Sequence, residues 1–119
     1  MMTMTSLTVK SRFLDEQGIV MLSVHGTLDS HTYSVLESKL DRLIYHGESR
    51  IIIDLADIDF LTSAGVNVFL AARRKASNEH GTVVLMNPSE TVRQVFELLP
   101  ASAALTVAMD LESALKLFA

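Results

Sequence analysis

Three isoleucines in succession, Ile51 to Ile53 within RIIIDL, constrain this chain more than any other stretch. Side chains alternate across a strand, so consecutive apolar residues load both of its faces, and such a strand is stable only where something covers each side. A sheet with helices packed on it meets that requirement. RIIIDL therefore reads as a central strand, and the rest of the chain is expected to supply its neighbours and its cover.

SLTVKSRFL and GIVMLSVHG are β-rich runs separated by DEQG, a composition that favours a tight reversal, and they predict an antiparallel hairpin. After GTLDS the apolar spacing turns helical, with Tyr33, Leu36, Leu40, Leu43 and Ile44 on one face as far as Gly47, and Asp29 or Ser30 as N-cap. A second helix is predicted from Ser63 to about Glu79, followed by TVVLM as a strand. In NPSETVRQVFELLP, Asn87 can cap, Pro88 suits the first turn, Glu90 completes a capping-box-like pair, and Pro100 lies just beyond the end. Val92, Val95, Phe96 and Leu99 are its expected buried stripe. A short ALTVA strand and a helix from Asp110, with Leu111, Ala114, Leu115 and Phe118 inward, close the chain. The order β-β-α-β-α-β-α-β-α predicts one α/β domain over residues 1–119, a mixed sheet of about five strands with helices packed on it.

With 49% hydrophobic and 20% charged residues, 119 residues suffice for a single core. Ten basic against 14 acidic residues give a net charge of -4, and no Lys/Arg stripe could track phosphates, so nucleic acid is not an expected partner. There is no cysteine, which removes thiol redox chemistry and cysteine metal sites. The start MMTMTSLTVKSR has no leader-like pattern and no apolar run approaches the ~20 residues that span a bilayer, so a cytoplasmic protein without membrane insertion is expected.

His25, His31, His46 and His80 are scattered, without metal-ligand spacing. LTSAG lacks the glycine two residues before the serine that a nucleophile elbow needs, and neither glycine-rich phosphate loop occurs. Asp29, Asp54, Asp57 and Asp59 fall at or just after predicted strand ends, as turn and cap residues do, although paired carboxylates can also do acid/base work or hold Mg²⁺. No enzyme, metal or cofactor is expected.

DIDFLTSAGVNVFL places Thr62 and Ser63 where a strand hands over to a helix. Taken as the last residue before that helix, Ser63 can cap a free N–H of the first turn, or it can be a site of modification; composition leaves both open. At 100° per residue, Gly65, Val66, Phe69, Leu70, Ala72 and Ala76 form the expected core face. Ala64, Asn67, Ala71, Arg74, Lys75 and Asn78 lie opposite, with Val68 at the border. Small near its start and cationic further on, that face suits either solvent or a closely docked protein.

VHGTLDSHTYSVLESKL and IIIDLADIDFLTSAGVNVFL resemble the STAS family of anti-sigma factor antagonists over approximately residues 5 to 118. The first is similar to the family's G-x-L-D and its first helix, the second to its apolar strand, D-L, aromatic residue and [DST]-S-[AS]-G signature. The resemblance implies that Ser63 is a phosphoacceptor. It implies as partners an anti-sigma factor that is a serine/threonine kinase of the histidine-kinase-like ATPase type, bound by the unmodified antagonist, and a serine phosphatase that restores binding. Partner contacts are expected at Asp29, Asp57, Asp59, Thr62, Ser63, Ala64, Gly65, Asn67, Val68, Ala71 and Arg74. The family often has Asp just before the acceptor where this chain has Thr62, which is itself phosphorylatable and the second choice. A different use of the same fold, as a scaffold or small-ligand subunit of a transport or other regulatory assembly, is the alternative.

Overall fold

The computed structural model describes residues 6–14 and 17–118. Its elements are β1 (Leu7–Leu14), β2 (Ile19–Leu28), α1 (Tyr33–Tyr45), β3 (Arg50–Leu61), α2 (Ser63–Asn78), β4 (Thr82–Met86), α3 (Glu90–Leu98), a 3₁₀ turn (Pro100–Ala104), β5 (Val107–Ala108) and α4 (Leu111–Lys116). The strands lie in the order β1-β2-β3-β4-β5, antiparallel between β1 and β2 and parallel thereafter. This is the mixed α/β sheet that the order of segments predicts. Asp15 and Glu16 of the expected reversal, and Thr5 at the expected start of the core, lie outside the described residues.

β3 is central and covered on both faces, as its isoleucines require. Ile51 and Ile53 join the large cluster formed with Leu36 and Leu40 of α1, Phe69 and Ala72 of α2, and Val92 of α3. Ile52 faces the other way, among Ile19, Val84, Met86 and Ala108, under Ala114 of α4. Arg50 fastens this second layer: its Nη2 donates to the Phe118 carbonyl at 3.0 Å and its guanidinium lies 5.5 Å from the Phe118 ring centroid.

Several boundaries differ from expectation. α1 starts at Tyr33 with Thr32 as N-cap, because Asp29 instead organises the loop ahead of it. α3 is capped by Ser89, whose hydroxyl accepts from Val92 N–H, while Asn87 takes a left-handed φ of 54° and Glu90 becomes the first helical residue. β3 extends to Leu61, so Asp54, Asp57 and Asp59 lie within a strand and not at its end. β5 shrinks to two residues because the turn opened by Pro100 runs through Ala104. Asp110, the expected start of the last helix, is the N-cap of α4 and accepts from Ser113 N–H at 2.8 Å.

Gly65, in the first turn of α2, sets how closely that helix approaches the sheet. A Cβ there would stand 2.5 Å from Leu61 Cδ1 and 2.7 Å from Leu28 Cγ, both buried. Gly65→Ala is therefore expected to destabilise the fold by about 1–3 kcal/mol through overpacking, read as a lower denaturation midpoint at unchanged slope. An unaltered midpoint would show that the helix is free to shift.

Candidate functional site

The parallel β2–β3 register slips twice, each time leaving an extra residue in β3: Ser23 pairs with Asp54 but His25 with Asp57, and Gly26 pairs with Ile58 but Thr27 with Phe60. Each bulge breaks the alternation of side chains. The inward positions of β3 consequently run Ile53, Leu55, Ile58, Leu61, and Asp57, Asp59 and Phe60 are exposed. Two neighbours orient the carboxylates: His25 Nδ1 lies 3.2 Å from Asp57 and Thr27 Oγ1 donates to Asp59 at 3.0 Å.

Gly26, with φ +112°, holds the chain where a Cβ would collide with the Ser6 carbonyl, and Thr27 N–H donates to that same oxygen. Beyond Leu28 the chain turns into a loop built on Asp29. Its Oδ1 accepts from His31 N–H at 2.8 Å and Thr32 N–H at 3.1 Å, and the Thr32 hydroxyl accepts from Asp29 N–H while lying 2.7 Å from the Thr27 carbonyl. The His31 N–H, followed by the Thr32 groups, holds the Asp29 carboxyl below its ordinary value of 3.8, against the opposing effect of burial. Asp29 is only 8% exposed, so its chief contacts are within its own turn.

This loop and the start of α2 are neighbours, because Leu28 pairs with Leu61 and its carbonyl accepts from Thr62 N–H at 3.1 Å. Thr62, not Ser63, is the N-cap residue, and its side chain makes no capping bond; Thr62 Oγ1 is buried without a hydrogen-bond partner. Ser63 is the first helical residue and exposed. Capping by the Ser63 hydroxyl, one of the two roles open on composition, is thus absent: the helix starts one residue too early for it.

Along α2, Ala64, Asn67, Val68, Ala71 and Arg74 line a cleft of about 520 Å³ shared with Tyr33 and Glu37 of α1. Five residues of the expected docking face therefore come together, and α1 supplies a wall that helical periodicity in α2 alone does not reveal. Val68, placed at the border by spacing, is buried because α1 packs beside it, whereas Leu70 is only half-buried and joins the cleft. Gly65, an expected partner contact, is buried against Leu28 and Leu61, where the absence of a side chain seats the helix on the sheet. Lys75 crosses to Asp41 at 2.8 Å, tying α1 to α2 beyond the cleft. Among the described residues no three His, Asp or Glu side chains are grouped to hold a metal ion, and no helix is long and apolar enough to cross a membrane.

The STAS domain family profile matches residues 13–114. BtrV of Bordetella bronchiseptica, named as a candidate anti-sigma factor antagonist, is 30% identical over 85% of this chain and 87% of its own. The anti-sigma F factor antagonist of Lysinibacillus sphaericus is 33% identical over 66% of this chain and 68% of its own. The structure of the anti-sigma factor antagonist SpoIIAA in its unphosphorylated form superimposes with a TM-score of 0.74 at 25% identity, covering 92% of this chain and 96% of that one. The Bacillus protein has also been solved in its phosphorylated form, which gives 0.68 at 24% identity over 92% and 99% of the two chains.

Two outcomes follow from this geometry. Asp29 has a lowered folded-state pKa, so its stabilisation is complete above the ordinary value of 3.8 and is lost as pH falls through the lowered one. The stability gap between wild type and Asp29→Ala, followed by urea unfolding, should be constant near neutrality and close in that acid window; a pH-independent gap would contradict the carboxylate's role. Thr62→Val removes a hydroxyl with no partner and keeps the side-chain shape, so thermal melting should show stability unchanged or raised by up to about 1 kcal/mol.

Proposed function

This chain belongs to the STAS domain family and stands among its anti-sigma factor antagonists, and from that premise we propose that its antagonism is switched by phosphorylation of Ser63. The observation that carries the reading is the contrast between two adjacent hydroxyls: Ser63 is exposed at the first position of α2, beside the cleft, and Thr62 Oγ1 is buried. A kinase can reach the first without unfolding the helix start and cannot so reach the second.

In this reading the unmodified surface around Ser63, Ala64, Asn67, Ala71 and Arg74 binds an anti-sigma factor that is also a kinase of the histidine-kinase-like ATPase type, in the cytoplasm. Small side chains near the start of α2 let that partner approach closely. The reaction is performed on this protein and not by it, and a serine phosphatase reverses it.

A phosphate on Ser63 adds about -1.5 to -2 charges where the first N–H groups of α2 lack intrahelical acceptors and the helix dipole favours an anion. The fold therefore tolerates it. A docked partner does not, because the group intrudes on the contact and must be desolvated there. A loss of about 2.8 kcal/mol weakens binding a hundredfold. That SpoIIAA, a relative of the same fold, has been solved in both unphosphorylated and phosphorylated forms supports this reading.

The test is to incubate the chain with ATP and the anti-sigma factor kinase of its native host, and to map the phosphate by mass spectrometry. One phosphate at Ser63 is expected, abolished by Ser63→Ala and retained by Thr62→Val. Ser63→Asp should keep its circular dichroism and melting curve while binding the kinase about a hundredfold more weakly. Phosphate on Thr62, or wild-type affinity in Ser63→Asp, would overturn the switch.

A further inference from the structure

The second bulge of β3 has one conspicuous result. Without the extra residue, Phe60 would occupy the inward position that Leu61 holds; with it, the aromatic ring is turned out and is 52% exposed. Both side chains are apolar, so burial alone gives no reason to choose the smaller one for the core. Phe60 is also close to the proposed switch: three residues of chain cannot separate it from Ser63 by more than about 11 Å.

Its setting is acidic. Asp59 precedes it and Asp57 stands one bulge earlier, both exposed, with carboxylates oriented by Thr27 and His25. Inward positions on both sides of Phe60, Ile58 and Leu61, pack toward the helices, so the ring emerges from the opposite face of the sheet to that carrying α2.

We propose that Phe60 is the apolar anchor of the partner contact, inserted into an apolar pocket of the anti-sigma factor kinase whose rim is basic and complements Asp57 and Asp59. This rests on the reading above and adds to it: the partner grips the end of the sheet from both sides, α2 with Ser63 on one and Phe60 on the other. Aromatic anchors surrounded by polar rims carry a large share of binding energy in protein interfaces. Flanking carboxylates contribute mainly to the rate of association and its salt dependence.

The experiment measures binding of the native host's anti-sigma factor kinase to wild type, Phe60→Ala, Phe60→Leu and the double variant Asp57→Asn/Asp59→Asn, with melting curves for each. Phe60→Ala is expected to lose at least about thirtyfold in affinity with its melting curve preserved, and Phe60→Leu to recover part of the loss. The double variant should associate more slowly, with a weaker salt dependence. Wild-type affinity in Phe60→Ala while the kinase still phosphorylates Ser63 overturns this inference alone, as does an affinity loss matched by a loss of melting temperature in both Phe60 variants. A kinase that neither binds nor phosphorylates the wild-type chain overturns the underlying reading and this inference with it.

Discussion

Burial of β3 from both sides is the constraint on which the rest of the molecule depends. Ile51 and Ile53 require α1 and α2 on one face, and Ile52 requires a second layer on the other, which α4 and its Arg50 clamp provide. Once the proximal half of the strand is enclosed in this way, its distal half projects past the cover of α4. There the bulges relax the alternation, and Asp57, Asp59 and Phe60 meet solvent. One strand thus serves as the centre of the core at one end and presents its side chains to solvent at the other.

The same partition separates the hydrogen-bonded and buried residues of this region from the exposed ones. Asp29 and Thr32 lock their turn through mutual hydrogen bonds, Gly65 lets α2 settle against Leu28 and Leu61, and Thr62 points its hydroxyl inward. Those residues build the platform. Ser63, Asn67 and Arg74 stand on it, exposed to solvent.

Much of this was legible in the residues, and the exceptions have physical causes. The isoleucine triplet revealed a strand buried on both sides because β-branched side chains favour a strand, and three in succession load both of its faces. Helical spacing in α2 identified Ala64, Asn67, Ala71 and Arg74 as one face, and these line the cleft. Caps were less legible: Asn87 and Ser89 are both good capping types, and the choice fell to Ser89 because its hydroxyl also reaches the Ile58 carbonyl, a long-range contact. The bulges left no local sign at all. Ile58, Phe60 and Leu61 fit a spacing of two as well as one of three, no glycine marks an inserted residue, and only pairing with β2 decides between them.

Ser89 carries a further consequence. Its N–H donates to the Leu55 carbonyl at 3.4 Å and its hydroxyl to that of Ile58 at 2.8 Å, so the cap of α3 is fastened to the strand within the first bulge and just beyond it. Opening the start of α3 to solvent would remove the Ser89 donor from both carbonyls at once. Two hydrogen bonds thus join the start of α3 to the distal strand, so a local opening at Ser89 exposes polar groups of both segments.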